Sequence, residues 1–383
     1  MFPKYYLTPS YLQIGSSFLK RSANCVKENN IPYPRGLGRQ MEHIMACIEM
    51  SWPSLLVGPA GSGKTSSVRW LANMTGNTLR EIVLSNSTDA TELLGCYEQM
   101  NKKQKRQKYI ENLIDFVENF ISVMVLNDGK LVLNGELIQS KLQLLKLKFS
   151  PETKGVAKHI LKTIRKIYAS YMTLEVDKDE FDVQLNYFFS GISHLKSDKD
   201  SKMVGRFEWI DGALVKAVEK GEWLLLDNVN FCNANVLDRL NSLFEPGGKL
   251  LISECGLKDG KARIVSPHKN FRAFLIMNPL HGEISRAMRN RCIEICFTGT
   301  ATGEDLLDIS RTNGVMNLSS AMTLRNVHEK LNSSKKSRLT QANPRDFSLF
   351  SKVVSSQISH GSDIKEALQR GILQVYSSYK INW

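Results

Sequence analysis

No stretch of this 383-residue chain approaches the roughly 20 consecutive apolar residues that a helix needs to cross a bilayer. The first ten residues, MFPKYYLTPS, lack the basic-then-apolar layout of a secretory signal. The two absences predict a soluble, intracellular protein with no membrane partner. Cysteine is sparse: the seven residues Cys25, Cys47, Cys96, Cys232, Cys255, Cys292 and Cys296 form no Cys-x-x-Cys pair and have no histidine near enough in sequence to suggest zinc. That excludes a disulfide framework and predicts reduced, mostly buried thiols. Cys292 and Cys296 are expected on one face of a strand, too far apart to bond, as core residues. Acidic residues are also in short supply, 38 against 51 Lys and Arg, for a formal charge of +13. The excess suits anionic partners such as nucleic acid, ribonucleoprotein or acidic protein surfaces, or serves solubility alone.

What the chain does have is Gly58-Pro59-Ala60-Gly61-Ser62-Gly63-Lys64-Thr65, preceded by the apolar run Ser54-Leu55-Leu56-Val57. A short buried strand entering a glycine-rich turn brings backbone N–H groups onto phosphate oxygens, because Gly61 and Gly63 carry no Cβ to block the approach. Lys64 then reaches the β- and γ-phosphates, Thr65 holds Mg²⁺ through its hydroxyl, and a helix from Ser66 points its positive end at the anion. The expected ligand is ATP or ADP with Mg²⁺.

Around this loop the chain reads as α/β, a parallel sheet flanked by helices. Residues 1–35, with Pro3, Pro9, Pro32 and Pro34, predict an irregular leader holding at most one short helix around Tyr11–Phe18. A helix over Arg39–Met50, a strand over Leu79–Leu84 and a capped helix start at Asn86–Gly95 follow. Residues 100–203 are rich in Lys, Leu and Ile at helical spacing and predict an inserted helical region. Its opening run Lys102–Lys108 reads as a solvated helix face, or as a nucleic-acid or localisation patch. Phe207–Val218 predicts an amphipathic helix ending near Gly221. Glu222–Asn228 is an apolar strand ending in an acid, the arrangement that Mg²⁺ beside a phosphate loop requires; Asp227 would hold the ion directly or through a water. Leu237–Glu245 predicts a helix, Leu250–Glu254 with Ala262–Val265 a hairpin, and Phe271–Asn278 a further strand that places Asn278 at the same sheet edge as Lys64 and Asp227. From about Thr300 the sequence is helical, with Asn343-Pro344-Arg345-Asp346-Phe347 at a helix start.

In their order these motifs resemble the AAA+ ATPases. FEWIDGALVKAVEKGEWLLLDNVNFCNANVLDRLNSLFEPGG and FLIMNP…ISRAMRNRC resemble the dynein-related branch that acts in large-ribosomal-subunit assembly. The likeness covers about Gly38–Glu98 and Phe207–Phe350. It implies a P-loop AAA+ module with a small C-terminal α-helical lid over 300–383 and a nucleotide-binding subdomain over 36–99 and 204–299. Gly58, Pro59, Ala60, Gly61, Ser62, Gly63, Lys64, Thr65 and Ser66 correspond to the Walker A loop, Asp227 to the Walker B aspartate, Asn278 to sensor 1 and Arg345 to sensor 2. Arg291, or else Arg289 or Arg286, stands where an arginine finger serves the next module. The resemblance further implies neighbouring modules in a ring, pre-ribosomal particles and assembly factors as partners, and a nuclear setting in nucleolus and nucleoplasm. It places residues 100–203 in the second-helix insert.

The sequence departs from the family at Asn228. The Walker B acid is normally followed by a glutamate that polarises the attacking water, and an amide cannot take that proton. Two readings follow: an ATP-hydrolysing motor module, or a nucleotide-holding structural member of a ring. A nucleic-acid motor is a third reading, without interleaved aromatics around the basic run to support it.

Overall fold

The computed structural model describes residues 4–22, 35–99, 112, 114, 207–256, 262–298, 301–333 and 343–376. The expected insertion at 100–203, with its basic run, lies outside the described residues apart from Asn112 and Ile114. The chain forms two compact units, Met1–Cys96 with Ile210–Trp383, and Tyr97–Trp209. In the second unit the ring of Tyr97 meets that of Trp209 edge-on, with centroids 5.4 Å apart.

The first unit is built on a five-stranded, all-parallel sheet. Its strands are Ser54–Val57 (β4), Leu79–Val83 (β5), Trp223–Asp227 (β8), Arg272–Met277 (β11) and Ile293–Cys296 (β12), in the spatial order β12-β4-β11-β8-β5. The three inner strands read almost continuously apolar because both of their faces are covered. Leu55, Leu56, Leu224, Leu225, Leu226 and Leu275 are completely buried. Two helices flank the phosphate-loop strand in sequence, Gly38–Glu49 (α1) before it and Lys64–Thr75 (α2) after the loop. This is the expected α/β arrangement.

The segment expected to be an irregular leader is instead a three-stranded antiparallel meander, Tyr5–Leu7 (β1), Tyr11–Ile14 (β2) and Ser17–Lys20 (β3). Alternation is the cause: Leu12, Ile14 and Leu19 point inward against Met41, Ile44, Met45, Trp70 and Leu71. Two tight turns permit it. Thr8 closes the first, its hydroxyl accepting from the Tyr11 N–H at 2.9 Å, and Gly15 makes the second at φ +59°. The predicted helix around Tyr11–Phe18 is thereby replaced by strands.

Three further expectations are corrected. Phe207–Asp211 (β7) is a strand that pairs with Gly95–Gln99 (β6), and the helix begins only at Ala213, running Ala213–Lys220 (α4, after the short Ala90–Leu94, α3). Phe, Trp and Ile at alternate or adjacent positions favour extended chain, and Gly212 separates the two elements. A Cβ at Gly212 would lie 2.2 Å from the Leu93 carbonyl oxygen, so the backbone passes there too closely for any side chain. The helix expected over Leu237–Glu245 is displaced to Ala234–Asp238 (α5), where Asn233 caps it by accepting from the Asn235 N–H, and turns follow. Cys292 is buried as expected, whereas Cys296 is exposed because β12 is an edge strand. The predicted hairpin is present as Leu250–Ile252 (β9) against Arg263–Val265 (β10).

From Gly303 the chain is helical: Gly303–Thr312 (α7, after Arg286–Arg289, α6), Leu318–Ser333 (α8), Pro344–Ser359 (α9) and Ile364–Tyr376 (α10). Their apolar stripes meet in a separate core of Leu306, Leu324, Phe347, Phe350, Val354 and Tyr376. As predicted, Asn343 starts α9. Its carboxamide accepts from the Arg345 and Asp346 N–H groups, and the Asp346 carboxylate accepts from the Asn343 N–H, a reciprocal capping box.

Candidate functional site

The chain leaves β4 at Val57 and turns through Gly58–Gly63 before α2 begins at Lys64. Gly61 and Gly63 have φ of +73° and +89°, a region that only glycine enters without strain. Space excludes a side chain as well. A Cβ at Gly61 would lie 2.6 Å from the Asn343 carboxamide, and one at Gly63 would lie 2.6 Å from Leu37 Cδ1. Lys64 is buried inside the loop, where its ammonium donates to the Gly58 carbonyl at 2.8 Å, the Pro59 carbonyl at 2.6 Å and Ser62 Oγ at 3.2 Å. Burial pushes the lysine down to about 8, against the attraction of the Asp227 carboxylate.

Strand register brings the other groups to this edge. Met277 pairs with Val57, Val83 pairs with Asp227, and the Gly58 N–H donates to the Met277 carbonyl, so Gly58, Asp227 and Asn278 stand at neighbouring strand ends. One Asp227 oxygen accepts from the Asn228 N–H at 2.9 Å. Asn228 itself is left-handed, with φ +59° and ψ +44°, and opens the turn Val229–Phe231. Asn278 spends its carboxamide oxygen on the Leu280 N–H at 3.2 Å, and its carbonyl accepts from Asn230 Nδ2 at 2.9 Å.

Asp227, Asn228 and Asn278 line one cavity of about 860 Å³ together with the glycine-rich loop and with α7 and α9. Ala60–Ser66 form one wall; Asp227, Asn228 and Asn278 line the sheet edge; Asp305, Asn313, Pro344 and Arg345 come from the lid. Arg345 is exposed at the start of α9. Of the residues expected in a Walker A loop, Gly58 and Pro59 do not line the cavity; they hold Lys64 from behind through their carbonyls. Arg291 does not line it either. Its guanidinium pairs with Glu245 at 2.6 Å and donates to the Ala287 carbonyl at 2.7 Å. Arg289 is held by Glu294 and Glu283, and Arg286 is exposed.

The AAA domain (dynein-related subfamily) profile matches residues 53–114 and 169–292. Midasin of Dictyostelium discoideum is 40% identical over 332 residues, which is 76% of this chain and 6% of that protein. Midasin of Giardia intestinalis is 30% identical over 305 residues, 71% of this chain and again 6% of the relative. The chain belongs to the dynein-related AAA family, as a midasin-like module. It spans a small part of the length of the relatives it matches.

Several residues of this AAA module's cavity were not singled out from the sequence. Leu37 comes from the turn Arg35–Leu37, and Arg69 from the exposed side of α2, where it makes a two-pronged pair with Glu81 at 2.6 and 2.5 Å. Phe231 and His281, whose rings lie 5.0 Å apart, flank Asn228 and Asn278 in the chain. Asp305 is buried, accepting from the Gly36 N–H through both oxygens at 3.1 Å and from Thr302 Oγ1 at 2.7 Å. The Thr302-x-x-Asp305 spacing of a capping box was the one signal in the sequence that marked it.

Proposed function

We propose that this module binds ATP or ADP with Mg²⁺ and holds it as a member of an AAA+ ring, with hydrolysis at this site weak or absent. The supporting observation is that the loop Gly61–Ser66, Asp227, Asn278 and Arg345 all open on one cavity although they are scattered over 285 positions of sequence. The residues fit the ligand. The glycines leave a cradle that a Cβ would fill, and Lys64 is a buried cation whose present acceptors are backbone carbonyls and a hydroxyl, which a phosphate would outcompete.

Thr65 and Asp227 line the same cavity and supply the hard oxygen donors that Mg²⁺ takes. Among the described residues no cluster of three or more His, Cys, Asp or Glu could hold a metal alone. That fits an ion shared between one or two protein oxygens and nucleotide phosphates; bound Mg²⁺ neutralises phosphate charge and orients the terminal phosphoryl group. Asn278 would position a water or the γ-phosphate and Arg345 would meet phosphate from the lid. Arg291, outside its own cavity, would serve the next module.

The hydrolytic reading needs a base. Asn228 occupies its place with an amide, and its left-handed backbone suits asparagine better than glutamate. Retention rather than turnover is therefore favoured. By its likeness to midasins, of whose length the chain spans 6%, we extend the reading to ATP-driven remodelling of large-ribosomal-subunit precursors with assembly factors, in the nucleus.

The test is to identify the nucleotide released when the purified protein is denatured, and to titrate ATP and ADP with and without Mg²⁺ into the protein and its Lys64→Ala variant. Stoichiometric nucleotide that is lost in the variant supports the proposal; a protein that neither carries nor binds nucleotide overturns it.

A further inference from the structure

The phosphate site leaves the amino-terminal meander unused, and that meander carries an unusual outer face. Register fixes which residues share it: Tyr6 pairs with Gln13 and Gln13 with Phe18, forming one cross-strand row, and Tyr11 pairs with Lys20 in the next. The inner face is spent on the core, through Leu12, Ile14 and Leu19. The outer face places three aromatic rings in solvent, Tyr6 at 61%, Tyr11 at 51% and Phe18 at 50% exposure. Exposed aromatic residues of a soluble sheet are normally isolated. Here Tyr11 stands diagonal to both Tyr6 and Phe18, at backbone separations of about 7–8 Å.

Charge on the same element has one sign. Residues 4–22 contain Lys4, Lys20 and Arg21 and no carboxylate. Lys20 stands beside Tyr11 on the outer face and Lys4 extends the Tyr6 side of β1. Arg21 is committed inward, donating to the carbonyls of Met74 and Thr8 at 2.7 Å each, which anchors the meander to the carboxyl end of α2. Tyr5 adds an edge-on contact with Trp70 at 5.4 Å. The outer face is therefore presented by a sheet fixed to the helix that leaves the phosphate loop.

We propose that this face, Tyr6, Gln13, Phe18, Tyr11 and Lys20, binds single-stranded nucleic acid by stacking unpaired bases on its rings, with Lys4 and Lys20 meeting the phosphates. Rings on an antiparallel sheet with flanking cations are the stacking-platform arrangement, and every base offers a π-face, so the expected binding is tolerant of sequence. Bases of a duplex strand are stacked at a rise of about 3.4 Å with their faces covered on both sides, so only an unpaired, splayed strand offers base faces to rings that stand on three separate strands. Gln13, between two rings, donates one amide N–H to the Gly15 carbonyl at 3.0 Å, which fixes its orientation and leaves its oxygen and second N–H for a base edge. The proposal is independent of nucleotide binding at the phosphate loop.

The probe is a fluorescein-labelled 12-nucleotide oligouridylate, followed by anisotropy against the full chain at several salt concentrations, with a 12-base-pair RNA duplex as comparison. Single-strand binding that exceeds duplex binding, weakens roughly tenfold for each of Tyr6→Ala, Tyr11→Ala and Phe18→Ala, and survives Tyr11→Phe is expected. Lys20→Gln should flatten the salt dependence by about one phosphate contact. All four positions are solvent-facing, so unchanged thermal melts and circular dichroism serve as the folding control. No binding, equal binding of duplex, or aromatic variants that bind as well as the parent each overturn the proposal. So does a result in which the aromatic variants leave RNA binding intact but abolish self-association in sedimentation, which would make the face a protein contact.

Discussion

Asn343, the cap of the lid helix α9, stands against Gly61 of the phosphate loop: a Cβ on Gly61 would approach its carboxamide to 2.6 Å. One side chain thus serves two elements, since its oxygen already accepts from the Arg345 and Asp346 N–H groups. The first turn of α9, with Arg345 in it, is registered against the loop by this contact.

Gly61→Ala should weaken nucleotide binding by more than tenfold, because it imposes both the steric conflict and left-handed strain of about 1–2 kcal/mol. Asn343→Ala should cost about 1 kcal/mol of stability through the lost cap and weaken binding to a lesser degree. Fluorescent-nucleotide titrations beside thermal melts separate the two; unchanged affinity in Gly61→Ala would mean that the loop and lid are not in register when nucleotide binds.

Asn228→Glu restores the missing carboxylate in a backbone that resists it. A non-glycine, non-asparagine residue at φ +59° carries strain, so a lower melting temperature is expected. Phosphate release should rise from near background, by up to about 10²–10⁴ if the carboxylate reaches the water. A parent protein that already turns over ATP steadily would sink the retention reading.

Arg345→Ala and Arg291→Ala should behave differently in the isolated chain. Arg345 lines the cavity, so its loss should weaken triphosphate binding several-fold; Arg291 is held by Glu245 outside it, so its loss should leave the module's own affinity unchanged. Equal losses in both variants would contradict the assignment of Arg291 to a neighbour's site.

Thiol reactivity should divide by strand position. Burial pushes Cys292 up to about 12 and Cys47 up to about 11, while Cys296 is exposed on the edge strand. Because the thiolate is the reactive form, Cys296 should alkylate readily at pH 8 and Cys292 and Cys47 only on unfolding. Mass-resolved labelling with iodoacetamide checks this, and rapid labelling of Cys292 in the native protein would show that β12 is not docked on β4.

The inner strands and the phosphate loop were legible in the sequence because burial on both faces forces long apolar runs, and because the loop's glycines answer to steric limits that few other sequences meet. The meander was not. Its strands are three or four residues long, Pro9 read as a break, and the helix expected around Tyr11–Phe18 ran across Gly15, which is a turn. Phe207–Asp211 merged with the helix after it, since nothing local reveals that Gly212 passes over the Leu93 carbonyl. Lys64, Thr65 and Asp227, expected from local pattern, line the cavity. Leu37, Asp305 and Asn313 are brought to the cavity only by the packing of elements some 270 residues apart in the chain.

The Asp305 carboxylate holds the Gly36 N–H while forming the first turn of α7, and Arg35 adds pairs to Glu304 at 2.9 Å and Asp308 at 3.2 Å. The backbone entering α1 is therefore tied to the lid before it reaches the sheet. The start of α1 and the roof of the cavity therefore share one anchor, so neither can shift without loading the other.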